Sequence, residues 1–124
     1  MKHVQIMKLA LMVVSLVLAG SPSWADMGKG PTPLKAMAGS KAEKHITEGI
    51  EHYDKGHLDA AKKHFTEAVQ VDPQSAEAHY DVALVLDKMG DHHAAAEHFK
   101  KAQALGKDNP EIQTSEILKK HVKM

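Results

Sequence analysis

The chain has no cysteine among its 124 residues. That excludes disulfides, thiolate metal sites and attached c-type haem. It also lacks arginine: 16 lysines face 16 Asp and Glu, and the formal net charge is zero with histidine neutral. Nucleic-acid affinity rests on cationic contacts to phosphate, so a balanced surface without guanidinium forks makes nucleic acid an unexpected partner. Long apolar runs are missing too. The longest, Leu9 to Leu18, is about half of the roughly 20 residues a spanning helix needs, so no stable membrane anchor is expected. Catalytic signatures are absent as well. The serines have no Gly-x-Ser-x-Gly context, His45-x-x-Glu48 is not His-Glu-x-x-His, and no glycine-rich phosphate loop follows a strand. An enzyme is not expected.

What is present begins with an address. Lys2 and Lys8 flank the start of the apolar run, Gly20-Ser21-Pro22 ends it, and Ser23-Trp24-Ala25 places small residues where a signal peptidase reads. Residues 1–25 are therefore predicted to be a signal peptide cleaved after Ala25, delivering the rest to the periplasm or outside the cell. No cysteine follows the run, which argues against a lipoprotein. Residues 26–40, with Gly28, Gly30, Pro31, Pro33 and Gly39, show no apolar period and read as a flexible linker.

From residue 41 to 124 the pattern is helical and repeated. Gly56 recurs as Gly90, Ala61 as Ala95, Phe65 as Phe99 and Ala68 as Ala102, each 34 positions on. A period of that length marks a helix-turn-helix unit that stacks into a solenoid. Ile46, Ile50 and Tyr53 fall at helical spacing before Gly56, which stops the first helix. A second helix is predicted from Leu58 to Val71, ending before Pro73. Ser75 is a natural N-cap for a third, and Ala95, Phe99 and Ala102 mark a fourth. Gly49, Ala61, Ala68, Ala83, Ala95 and Ala102 belong where helices cross closely, with Phe65 and Phe99 filling the gaps. Residues 110–122, opened by Pro110, read as a capping helix.

The pattern Gly49, Ala61, Phe65, Ala68 with Pro73, and again Ala83, Ala95, Phe99, Ala102, resembles the tetratricopeptide repeat family, over residues 42–75 and 76–109. Departures are Lys107 in place of the second closing proline, His45 and His79 where the family prefers a large aromatic, and Glu48 where it prefers leucine. The resemblance implies an all-α solenoid of two repeats plus a C-terminal capping helix. It also implies a concave groove lined by the first helix of each repeat: Ile46, Ile50 and Tyr53, then Tyr80, Leu84, Asp87 and Lys88. A protein partner, from the envelope or secreted, or a second copy of the chain, would be gripped there by apolar contact.

Ten histidines are the second message, and only His3 lies in the predicted signal. Imidazole suits Zn, Cu and Ni. The enrichment, with the stretch His45 to His52, resembles that of histidine-rich small periplasmic metal-binding proteins. A helical chelate needs ligands three or four residues apart, and no two histidines here have that spacing on a helix. His45 and His52 are seven apart, as are His57 and His64, too far along one helix for one ion. Histidine–glutamate pairs do have chelating spacing. Candidate ligands are therefore His92 and His93 with Glu97, then His45 and His52 with Glu48, then His57 and His64. The chain reads first as a small exported interaction module or adaptor in the cell envelope, requiring no cofactor. The alternative is a protein that binds or buffers Cu, Ni or Zn weakly.

Overall fold

The computed structural model describes residues 30–123. The predicted signal peptide, and residues 26–29 of the predicted linker, lie outside the described residues. Among the described residues there are six helices and no strand: α1 (Glu43–Asp54), α2 (Leu58–Val71), α3 (Ala76–Lys88), α4 (His92–Leu105), α5 (Pro110–Gln113) and α6 (Glu116–Val122). None is long and apolar enough to cross a membrane.

Helices α1/α2 and α3/α4 form two antiparallel hairpins of the same design. Gly56 (φ 79°) and Gly90 (φ 92°) take the left-handed conformation that ends a helix without a Cβ penalty. The next residue then closes the turn. The His57 N–H donates to the His52 carbonyl, and the Asp91 N–H to that of Leu86, both at 2.9 Å. Side chains start the third and fourth helices: Ser75 Oγ accepts from the Ala78 N–H and Asp91 Oδ1 from the Ala94 N–H, both at 3.1 Å.

The small residues lie at the crossings, as expected. Ala61, Ala68, Ala95 and Ala102 are fully buried, as are Phe65 and Phe99. At Gly49 the helices approach so closely that a Cβ would overlap the Phe65 ring. Helix α3 is the centre of the molecule. It packs against α2 and α4, and its whole length from Ala76 to Leu86 is buried, including Glu77, His79 and Asp81.

Two segments differ from expectation. The C-terminal cap is not one helix over 110–122: Ser115 starts a new helix, its Oγ accepting from the Leu118 N–H, so α5 and α6 pack on α4 as separate pieces. The second half of the expected linker is not a free tether. Residues 31–37 form no helix or strand and lie against the hairpins, and Leu34 is buried in the main core, only 9% exposed.

Candidate functional site

The first helices of the two hairpins, α1 and α3, form the face expected to receive a partner, and residues 31–37 occupy it. The Leu34 side chain joins the core that holds Tyr53, Tyr80 and Leu84. Its N–H donates to Asp81 Oδ1 at 2.6 Å. The Tyr53 hydroxyl donates to the Pro31 carbonyl at 3.3 Å. Ala36 packs against the second apolar cluster, around Ala42, Ile46 and Ala78. The contacts are those of an extended peptide in a groove: backbone groups fixed by polar side chains, and one large apolar side chain inserted.

Asp81 is the polar floor of this seat. It is fully buried, and its Oδ2 has no hydrogen-bond partner. Burial pushes its carboxyl well above the ordinary range, opposed by the Leu34 N–H and reinforced by Glu77. Burial also raises the Tyr53 hydroxyl, with Asp81 and Asp87 adding to the effect. Lys88 Nζ stands 4.6 Å from the Tyr53 ring centre, in the geometry of a cation–π contact.

The remaining groove candidates divide. Ile46 and Leu84 are core residues with almost no exposure, and no partner reaches them in this arrangement. Ile50 is half-buried between the two apolar clusters. The Tyr80 hydroxyl is hydrogen-bonded to Ser115 Oγ at 2.8 Å, so the C-terminal cap covers that end of the face. Asp87 is taken up by histidines, and Lys88 is exposed. Between the seated segment and the cap lies an open cleft of about 410 Å³, its wall including Pro31, Leu34, Tyr80 and Ile117.

The histidines assemble across helices rather than along them. In an antiparallel hairpin, residues equidistant from the turn face each other, and this pairs His45 with His64 and His52 with His57. Ring centres lie 6.5 Å apart for His45–His64, 5.9 Å for His52–His57, and 5.2 Å for the stacked His52–His64 pair. Glu48 and Glu67 join them: His64 Nδ1 is 3.1 Å from Glu48 Oε2, and His45 Nδ1 is 3.1 Å from Glu67 Oε2. The expected groups His45–Glu48–His52 and His57–His64 are thus replaced by one cluster shared between α1 and α2.

The same register recurs 34 residues on, where His79 faces His98. Here the rings bond to each other, Nδ1 to Nδ1 at 3.1 Å, while His79 Nε2 lies 2.9 Å from the Pro73 carbonyl. With both rings neutral, His79 donates from Nε2 and accepts at Nδ1. Burial lowers both: His98, with His79 and Lys101 nearby, is pulled down to about 4, and His79 is lowered by burial and then by Lys101, against the Pro73 carbonyl.

The group ranked first from sequence does not assemble. His93 is exposed, and Glu97 pairs with Lys100 at 3.4 Å. His92 turns instead to Asp87 Oδ1 at 2.7 Å, which also meets His121 Nε2 at 2.7 Å. His121 Nδ1 lies 2.9 Å from the Ile117 carbonyl of its own helix, so both of its ring nitrogens face acceptors, and the Asp87 contact fastens α6 to α3. Sequence reasoning missed Asp81, His79, His98 and His121. Hairpin register held the signal for the first cross-helix pairs; Asp81 and His121 had none.

Residues 46–110 match the tetratricopeptide repeat family, just over half of the chain. No curated protein matches it.

Proposed function

Because the chain belongs to the tetratricopeptide repeat family, whose repeats generally bind other proteins, we propose that it is a small exported interaction module that grips an extended segment of a partner between α1 and α3. It works without catalysis, as an adaptor in the cell envelope. The observation that carries this reading is the seating of residues 31–37, with Leu34 inserted and its N–H on Asp81. A groove that holds its own chain in this way has the chemistry to hold another: an apolar socket, a buried carboxyl for a backbone N–H, and a tyrosine hydroxyl for a carbonyl. The partner segment competes with residues 31–37, so the free protein is self-occupied and binding requires exchange. The export half of the proposal rests on the leader pattern in residues 1–25.

Leu34→Asp tests the groove, because it unseats the internal segment. A labelled peptide of residues 30–38 should bind this variant saturably by anisotropy, and the wild-type protein more weakly. A folded Leu34→Asp chain that binds no peptide would refute the groove reading. N-terminal sequencing of the cell-expressed protein tests export: a product beginning at Asp26 in the envelope fraction supports it, and an intact Met1 chain in the cytosol sinks it.

A further inference from the structure

We propose that the first repeat carries a binding site for one Zn(II) ion, formed by His45 and Glu48 of α1 with His64 and Glu67 of α2. This goes beyond the interaction reading and uses a different face. His45, Glu48 and His64 offer donor atoms that all lie within 4.8 Å of one another. Glu67 is outside that mutual set, but its Oε2 stands close to both imidazoles, 3.1 Å from His45 Nδ1 and 3.7 Å from His64 Nδ1. Two imidazole nitrogens and two carboxylates make the four donors that a tetrahedral zinc site requires.

The state of the ring nitrogens separates this cluster from the other two. Nδ1 of His45, His52 and His64 is in each case buried without a hydrogen-bond partner. The carboxylates stand close but off the direction a ring N–H would need. These are the only histidine nitrogens so placed among the described residues, and all three belong to this cluster. A buried polar atom left unpaired is destabilising, and a cation between rings and carboxylates would satisfy both. At His79–His98 the rings satisfy each other, and at His121 both nitrogens already have acceptors.

The repeat itself supplies a comparison. His79 and His98 occupy the positions of His45 and His64, but the residues matching Glu48 and Glu67 are Val82 and Lys101. One repeat thus joins the histidine pair to two carboxylates; the other gives it an apolar neighbour and a cation. Donors around one zinc at about 2.0–2.1 Å stand roughly 3.3 Å apart. The four side chains are between 22% and 37% exposed, which leaves them room to close to that distance.

The test is titration of the metal-stripped full chain with Zn(II) at neutral pH, by calorimetry and by thermal melting. One zinc per chain should bind and raise the melting temperature, because only the folded state brings the two helices together. Transplanting the second repeat's residues, Glu48→Val with Glu67→Lys, keeps every histidine and should weaken binding about tenfold or more. Glu48→Gln with Glu67→Gln is the milder version should the transplant fail to fold. His93→Ala should bind as wild type. Absence of heat and of any melting shift, or full affinity in both carboxylate variants, would overturn the assignment. So would binding abolished by His121→Ala but kept in His45→Ala/His64→Ala.

Discussion

Alanine in place of Gly49 should destabilise this protein, although the general rule for helices says the reverse. Gly49 sits inside α1, where alanine is ordinarily favoured over glycine by about 1 kcal/mol. Against that stands the Phe65 ring, which a Cβ at position 49 would overlap. The obstacle is no flexible chain end. It is a ring with no exposure, in the core shared with Ala61 and Tyr53. Overpacking of this kind costs about 1–3 kcal/mol. With the ring, the helices or both forced to move, the upper part of that range applies, and the net loss is about 1–2 kcal/mol after the propensity gain. For a domain of this size that is a fall in melting temperature of about 5–15 °C.

Urea unfolding would show the loss as a lower midpoint at unchanged slope. The matching residue in the second hairpin is Ala83, opposite Phe99. There the ring has other company: it meets Tyr80 edge-on at 5.5 Å and His121 at 5.1 Å. The reverse change, Ala83→Gly, should therefore also destabilise, by about 1 kcal/mol from propensity alone. Combining Gly49→Ala with Phe65→Leu should cost less than the sum of the two, with a coupling of about 0.5 kcal/mol or more. A stabilised Gly49→Ala protein, or strict additivity in that cycle, would show that the helices do not meet through Phe65 as described.

Other outcomes follow from the same contacts. Leu34→Asp should remove about 1.5–3 kcal/mol of apolar burial and expose residues 30–40 to limited proteolysis that spares the wild type. The lowered values of His98 and His79 mean that the unfolded chain binds protons the folded one refuses, so stability is full above about 6.5 and is lost as pH falls toward about 4. Because His98 is only half-buried, the loss traceable to it is about 1–2 kcal/mol after solvent screening, and His98→Gln should flatten that limb of a stability–pH curve. Asp81 has the opposite sign: its raised carboxyl contributes stability at low pH that is lost as pH rises through the folded-state value, so Asp81→Asn should be the more stable protein at neutral pH. Unchanged pH profiles in these two variants would contradict the burial that causes both effects.

How far the sequence revealed this structure depended on whether the information was periodic. The hairpins were legible because Gly56 and Gly90, the buried alanines and the two phenylalanines keep one offset, and helix boundaries such as Leu58–Val71 follow from the flanking glycine and proline. The seat of residues 31–37 was not legible. A Gly- and Pro-containing stretch with one leucine has no period, and what fixes it is Asp81, far away in sequence. Two of the groove candidates are core for a related reason. Ile46 and Leu84 do lie on the first helices, but spacing cannot tell a residue facing a partner from one facing the next helix. For the histidines, spacing along single helices could not say which residues of two helices meet. His45 and His64 are far apart in sequence yet face each other across a hairpin whose turn was already known.

The covering of α3 reduces the apolar face that so short an array would leave open. Repeat arrays usually need about three units, because each unit leaves an apolar face open to the next. Here the chain closes two of those openings itself. Helices α5 and α6 bury Ile112 and Leu118 against the last hairpin, with His121 fastened to Asp87. The seated stretch then lays Leu34 across the face between the first helices. The second closure differs in kind from the first. The cap joins the core through two buried aliphatic side chains and a histidine–aspartate contact, whereas the seated stretch contributes one leucine, one strong hydrogen bond and one long one. Of the two, the stretch has the fewer contacts to break, and it covers the face on which a partner would bind. If the proposed groove is the binding site, stability and binding are coupled through the seated stretch, because a partner would have to replace its contacts.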